Sequence, residues 1–331
     1  MRNPLVALAL APALLVPNPI SAPSFVEDAA VGQPMPELEW TTMLGGDGRG
    51  ALSAFRGQPV LIAWYSTVFA GLEAAKIAVE LDEEHRDDGL VVILMEIKRH
   101  DATYLRALQM EELPGADCRL MRTQDLPIAW DDSTGLPPKM ALVGVDGTLR
   151  YAGSYQRKGD LEDLLEDELK KREKGWGDEP RLREARALAW GRGRLGEARA
   201  SLEPSAPASA VDARFEALAA SVAHHLEHGE PGRAREALDA LAAAAEGLDR
   251  YVARAAEVAA GVDADALDDA LALERKLDSL LKPTRKRAPK KGLDDKLRAF
   301  AEGDASGTPV GARAARLADA VELALAGLES R

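Results

Sequence analysis

The stretch LIAWYSTVFAGLEAAK (residues 61–76) decides the fold. It continues an apolar, β-prone run, PVLIAWYS (59–66), and passes without a break into FAGLEAAKIAVELDEEH (69–85). There Leu72, Ala75, Ile77, Val79 and Leu81 suit a mostly buried helix. Downstream, LVVILMEI (90–97) is a continuous apolar run, as expected of a strand covered on both faces. DATYLRALQMEEL (101–113) opens on an Asp cap and keeps helical spacing. KMALVGV (139–145) and TLRYAGS (148–154) flank Asp146-Gly147, a hairpin signal. GDLEDLLEDELKKREK (159–174) reads as an amphipathic helix with a basic last turn that suits the helix dipole. The order β-α-β-α-β-β-α predicts an α/β domain: a mixed central sheet with helices on both faces.

The chain has 331 residues, enough for about two domains, and its 46% hydrophobic content supplies a sizeable core. A formal net charge of −13 favours solubility and argues against a nucleic-acid partner. With Cys118 the only cysteine, no intramolecular disulfide and no single-chain dithiol mechanism is available. Residues 1–22 begin MRNPLVALALAPALLVPNPISA: one basic side chain, an apolar run from Leu5 to Val16, then small residues. That is the layout of a secretory signal peptide, too short to span a bilayer. It predicts a periplasmic or extracellular protein with no transmembrane segment in the mature chain. A greasy N-terminal tail is the alternative.

VGQPMPELEW (31–40), LSAFRGQPVLIAWYSTV (52–68) and GLPPKMALVGVDGTLRYAG (135–153), in this order and spacing, resemble the redoxin and TlpA-type branch of the thioredoxin superfamily. The resemblance covers about residues 31–170 and places a thioredoxin-like domain at 31–175. It implies a cis-proline beside the reactive site at Pro138; Pro137 leaves the register open, and an ordinary Pro-Pro turn is the alternative. It also implies a Cys-x-x-Cys pair where the strand meets the helix, with the first thiol activated by the helix N-terminus. Phe69 and Leu72 occupy those two positions, so the spacing persists without either thiol. Aligned instead with a peroxidatic Thr-x-x-Cys, the positions hold Ala70 and Glu73. No catalytic residue and no cofactor is indicated.

The reading is therefore a non-catalytic binding or scaffold protein of the bacterial cell envelope. Phe69, Ala70, Gly71, Leu72, Pro137 and Pro138 would form an apolar patch with exposed backbone groups. It would hold an extended peptide or envelope protein, or be covered by the chain's own C-terminal half. The alternative is a divergent thiol-disulfide oxidoreductase or peroxidase using Cys118 as a lone thiol with an external partner.

After residue 180 strand signals stop. RLREARALAWGRGRLGEARASL (181–202) and DARFEALAASVAHHLEHGEPGRAREALDALAAAAEG (212–247) each read as a helix, a Gly-rich break and a second helix. Further helices fall at 245–258, 263–281 and 311–328, so residues 181–331 read as an all-α, tetratricopeptide-like domain. Three motifs compete with structural roles. HHLEH (224–228) matches a zinc-hydrolase pattern through His224, Glu227 and His228, the distant alternative function, but reads better as a solvated helix end. GGDGRG (45–50) reads as a turn between short strands, and KPTRKRAPKKG (282–292) as a solvated loop.

Overall fold

The computed structural model describes residues 28–40, 43–67, 69–86, 88–98, 100–113, 116, 119–122, 126–130, 138–173, 180–202, 206–282 and 289–327. The signal-peptide stretch, Cys118, Pro137 and residues 283–288 of the basic run lie outside them.

Two apolar faces of one sheet organise the first half. Strands β1 (Met43–Leu44), β2 (Val60–Tyr65), β3 (Val91–Glu96), β4 (Arg119–Arg122), β5 (Lys139–Val143) and β6 (Leu149–Ser154) form it in the order β1-β4-β3-β2-β5-β6. Four strands of five or six residues make its body. The β2–β3 and β3–β4 pairs are parallel; β1–β4, β2–β5 and β5–β6 are antiparallel. Helices α1 (Glu73–His85) and α2 (Ala102–Glu112) make the crossovers, and α3 (Lys158–Glu173) follows β6. Asp101 caps α2 as its sequence suggests, accepting from the Tyr104 N–H at 2.8 Å.

Two features differ from the sequence expectation. The short strands β1 and β4 have no readable period, being two and four residues long. The helices are also not split between the two faces. Leu61, Ala63 and Tyr65 of β2 share one core with Ala75 and Ala78 of α1, Leu105 and Leu108 of α2, and Leu161 and Leu165 of α3. The reason is topological: β2, β3 and β4 advance in one direction across the sheet, and right-handed crossovers then keep both connecting helices on one side. Val60 and Ile62 pack on the opposite face with Met35, Leu38, Trp40, Leu52, Phe55 and Ile128. There the cover is the segment before β1, a single 3₁₀ turn (Leu52–Phe55) and the residues around Ile128.

The rest of the chain is helical: α4 (Pro180–Arg186), α5 (Leu195–Ser201), α6 (Ala206–Glu227), α7 (Pro231–Ala245), α8 (Asp249–Ala260), α9 (Ala264–Leu281), α10 (Leu293–Glu302) and α11 (Pro309–Ala326). A π-helical turn (Ala187–Gly191) ends α4 just before the glycine-rich break read from the sequence. Phe215 of α6 and Tyr251 of α8 stack at 3.8 Å in one helical core, and Leu297, Ala314 and Val321 centre another. Thr308 caps α11, its Oγ1 accepting from the Gly311 N–H at 3.0 Å, with Pro309 at the first helical position. No described helix is long and apolar enough to cross a membrane.

Two apolar contacts are prominent where the helical region docks on the sheet domain. Ala320 and Leu323 of α11 pack on Tyr104 and Ala107 of α2. Trp190 packs on Gly57, just before β2. Gly57 has φ +90°, and a Cβ there would stand 2.0 Å from Trp190 Nε1. A side chain at 57 is excluded twice, by backbone conformation and by the indole. Gly57→Ala is expected to cost about 2–4 kcal/mol. Urea unfolding of the two proteins measures it; an unchanged midpoint would show that Trp190 does not dock there in solution.

Candidate functional site

The strand-to-helix junction sits at the carboxyl end of β2. This strand has parallel β3 on one side and antiparallel β5 on the other, the place where open α/β sheets put ligands. Beyond Tyr65 the chain bends through Ser66, whose N–H points to the Gly71 carbonyl at 3.4 Å. A 3₁₀ turn (Phe69–Leu72) leads directly into α1. A Cβ on Gly71 would lie 2.5 Å from the Ser66 carbonyl oxygen, so residue 71 has no room for a side chain. Ser66 and Leu72 are buried, and Leu72 joins the core beneath the helices.

The sequence-predicted patch is therefore unequal in its members. Gly71 and Leu72 are interior residues, so Leu72 adds packing instead of exposed apolar surface. Phe69 and Ala70 lie on the turn, but their side chains are outside the described set. Pro138 is half-buried. Lys139 pairs with Trp64, so Pro138, one residue earlier, stands beside the Tyr65 end of β2. The turn and the start of β5 thus frame the same mouth. Glu73 opens α1, 3.9 Å from Lys76, as a charge suited to a helix N-terminus.

Around this mouth lie buried polar groups that sequence pattern alone did not single out. Glu96, the last residue of β3, is fully buried and accepts from the Lys98 N–H at 2.6 Å and the His100 N–H at 3.1 Å. It fixes the loop after β3. Lys139 is 1% exposed, its ammonium 5.1 Å from the ring centroid of Trp130. Trp130 stacks on Trp64 at 5.6 Å with a 4° interplanar angle. A charged residue at the end of each apolar run was the available signal.

The histidine stretch has a different place. His224 lies over Gly48 in the GGDGRG turn, 2.8 Å from where a Cβ would stand, so two motifs that compete with structural roles meet at the domain boundary. That turn bends with positive φ at Gly45, Gly46 and Gly48. His228 Nδ1 lies 2.8 Å from the His224 carbonyl, and Glu227 is exposed. Among the described residues no group of three His, Cys, Asp or Glu could hold a metal ion. The histidine with a firm partner is His225, buried, its Nδ1 2.9 Å from Glu230 Oε2.

Burial pushes the Glu230 carboxyl up, but the His225 hydrogen bond and the charges of Arg233 and Arg313 outweigh it and hold the pKa at about 2, against an ordinary 4.5. A depressed carboxyl stabilises the fold above its unfolded-state pKa. That contribution is lost as pH falls from about 4.5 to about 2. Glu230→Gln should therefore lower the urea midpoint at pH 7 and lower it progressively less at pH 4 and pH 3. An equal deficit at pH 7 and pH 3 would remove Glu230 from the acid response.

No protein-family model matches the sequence, and no curated protein does. Solved structures match the first half. A thiol:disulfide interchange protein of the thioredoxin family from Chlorobium tepidum is 12% identical with a TM-score of 0.33, covering 41% of this chain and 96% of its own. One from a Bacteroides species is 16% identical with a TM-score of 0.32, covering 43% and 91%. A thioredoxin-like protein solved in its oxidised form is 19% identical with a TM-score of 0.32, covering 42% and 96%. The topology defines the class directly: a thioredoxin-like α/β domain with a mixed sheet, followed by a helical region. With one cysteine in the whole chain, it contains no Cys-x-x-Cys pair.

Proposed function

We propose that this protein is a non-catalytic thioredoxin-like binding module, exported to the bacterial cell envelope, that holds an extended peptide segment of an envelope protein. The binding mouth is the 66–72 turn facing Pro138. The observation that carries the proposal is the content of the turn. The position of the second lost thiol, Leu72, is packed into the core, and the backbone of Gly71 closes directly on Ser66. No nucleophile, acid or base occupies Phe69-Ala70-Gly71-Leu72. A turn with no ionisable group, beside the half-buried Pro138, suits strand-like pairing with an extended chain. One docking contact of the helical region lies away from the mouth. Trp190 meets Gly57 at the leading end of β2, and the six residues of that strand put roughly 20 Å between it and the turn. Export rests on the layout of residues 1–22.

Insulin-reduction and peroxide-consumption assays should be blank for the full chain and unchanged by Cys118→Ser. Activity abolished by Cys118→Ser would replace this reading with an oxidoreductase. Phe69→Asp should weaken capture of an envelope partner at least about tenfold, the loss expected when a charge enters an apolar contact. Retention of every partner in that variant would move the binding surface elsewhere.

A further inference from the structure

Where α11 lies along α2, beside the turn between α6 and α7, arginines gather without enough carboxylates. Arg313 and Arg316 of α11 both reach that turn. Arg313 donates to the Gly229 carbonyl at 3.1 Å, and Arg316 to the His228 carbonyl at 3.3 Å. Arg316 stands one helical turn before Ala320, which packs on α2. Arg106 of α2 stands one helical turn before Met110, which packs against the same seam from the other side. The seam thus brings the two guanidinium groups to one corner. We propose that Arg106 and Arg316 bind a small phosphate, either the free ion or a simple monoester.

The carboxylates near this corner are already engaged. Glu274 accepts from Arg313 at 3.0 Å and from the Gly232 N–H at 2.7 Å. Glu230 lies 2.9 Å from His225 Nδ1 and 4.0 Å from Arg313, and Arg233 also acts on it. Farther along α11, Asp319 and Glu322 pair with Arg298 of α10. Arg106 has no hydrogen bond and no ion pair among the described residues. Arg316 has its one bond to a carbonyl and no carboxylate within 4.0 Å among them.

Both side chains are half-buried. Burial, then the charges of Arg316 and Arg313, push the Arg106 guanidinium down to about 10 from an ordinary 12.5, with Glu230 pulling the other way. Burial and Arg313 lower Arg316 in the same direction. Each group still carries its charge at neutral pH. A half-buried charge without an acceptor is a costly arrangement, and a bound anion relieves it. Neither guanidinium is sealed from solvent, so an ion in solution can reach both. Two unit charges without carboxylates match a dianion. Guanidinium N–H groups offered from two helices suit the several oxygens of a phosphate better than a single carboxylate.

The test is isothermal titration of the full chain at about pH 8 with inorganic phosphate, methyl phosphate and acetate. At least one of the two phosphates should bind, and the tighter identifies the free ion or the monoester as the form taken. Acetate should bind at least about tenfold more weakly. Phosphate should also raise the melting temperature more than sodium chloride of equal ionic strength. Arg106→Met and Arg316→Gln should each weaken binding at least about tenfold, and Arg298→Gln should leave it unchanged. Arg106→Met keeps the length of the side chain and removes its charge. In phosphate-free buffer it should melt no lower than the parent, and it should lose the phosphate-dependent rise. No binding of either phosphate at millimolar concentration, equal binding of acetate, or a rise reproduced by sodium chloride would overturn the proposal. So would undiminished binding in either Arg106→Met or Arg316→Gln, an equal loss in Arg298→Gln, or a lower melting temperature of Arg106→Met without phosphate.

Discussion

Trp190 occupies the space where a side chain on residue 57 would stand, and much of the molecule follows from that approach. The indole belongs to the π-helical turn that follows α4, two residues before the turn's C-cap at Arg192 and the positive-φ Gly193. Once seated, its outer face supports the Arg214 guanidinium, and Arg214 in turn reaches Gln58, the residue after Gly57. Gly57, Trp190, Arg214 and Gln58 thus form a short closed circuit between the halves. The second docking area, α11 on α2, is built from small and medium apolar side chains, and it lies far from Gly57 in sequence. Contacts at separated places constrain orientation where a single one would leave a hinge.

Much of the sheet was legible in the sequence because its long strands are apolar on both faces and its helices carry a clear period. What was not legible has physical reasons. β1 and β4 are too short to show alternation. The one-sided arrangement of α1, α2 and α3 follows from strand order, which no single segment encodes. The helical hairpin of α6 and α7 was visible through Gly229 and Pro231, but its histidines were misleading. The spacing of His224 and His228 drew attention, whereas the buried member is His225, whose partner Glu230 lies across the turn.

The candidate site was half legible. The absence of thiols is a statement about composition and needs no structure. That Leu72 is buried is a statement about the turn, and the sequence could not make it. Aligned position by position, Phe69 and Leu72 look equivalent. The structure places Leu72 in the core among the α1 alanines. The contact between the halves at Gln58 was invisible for another reason: Gln58 and Arg214 are 156 residues apart and have no motif in common.

β2 connects both places. Its six residues run from beside Gln58 to Ser66, and five of them are buried on both faces of the sheet. A strand so enclosed transmits position well and bends poorly, because neighbouring ladders on both sides fix its register. The helical region meets the sheet domain both at the start of β2, through Trp190 on Gly57 and Arg214 on Gln58, and on α2, through Ala320 and Leu323. A shift at the first of these has, in so enclosed a strand, no soft element through which to reshape the turn around Ser66 and Gly71.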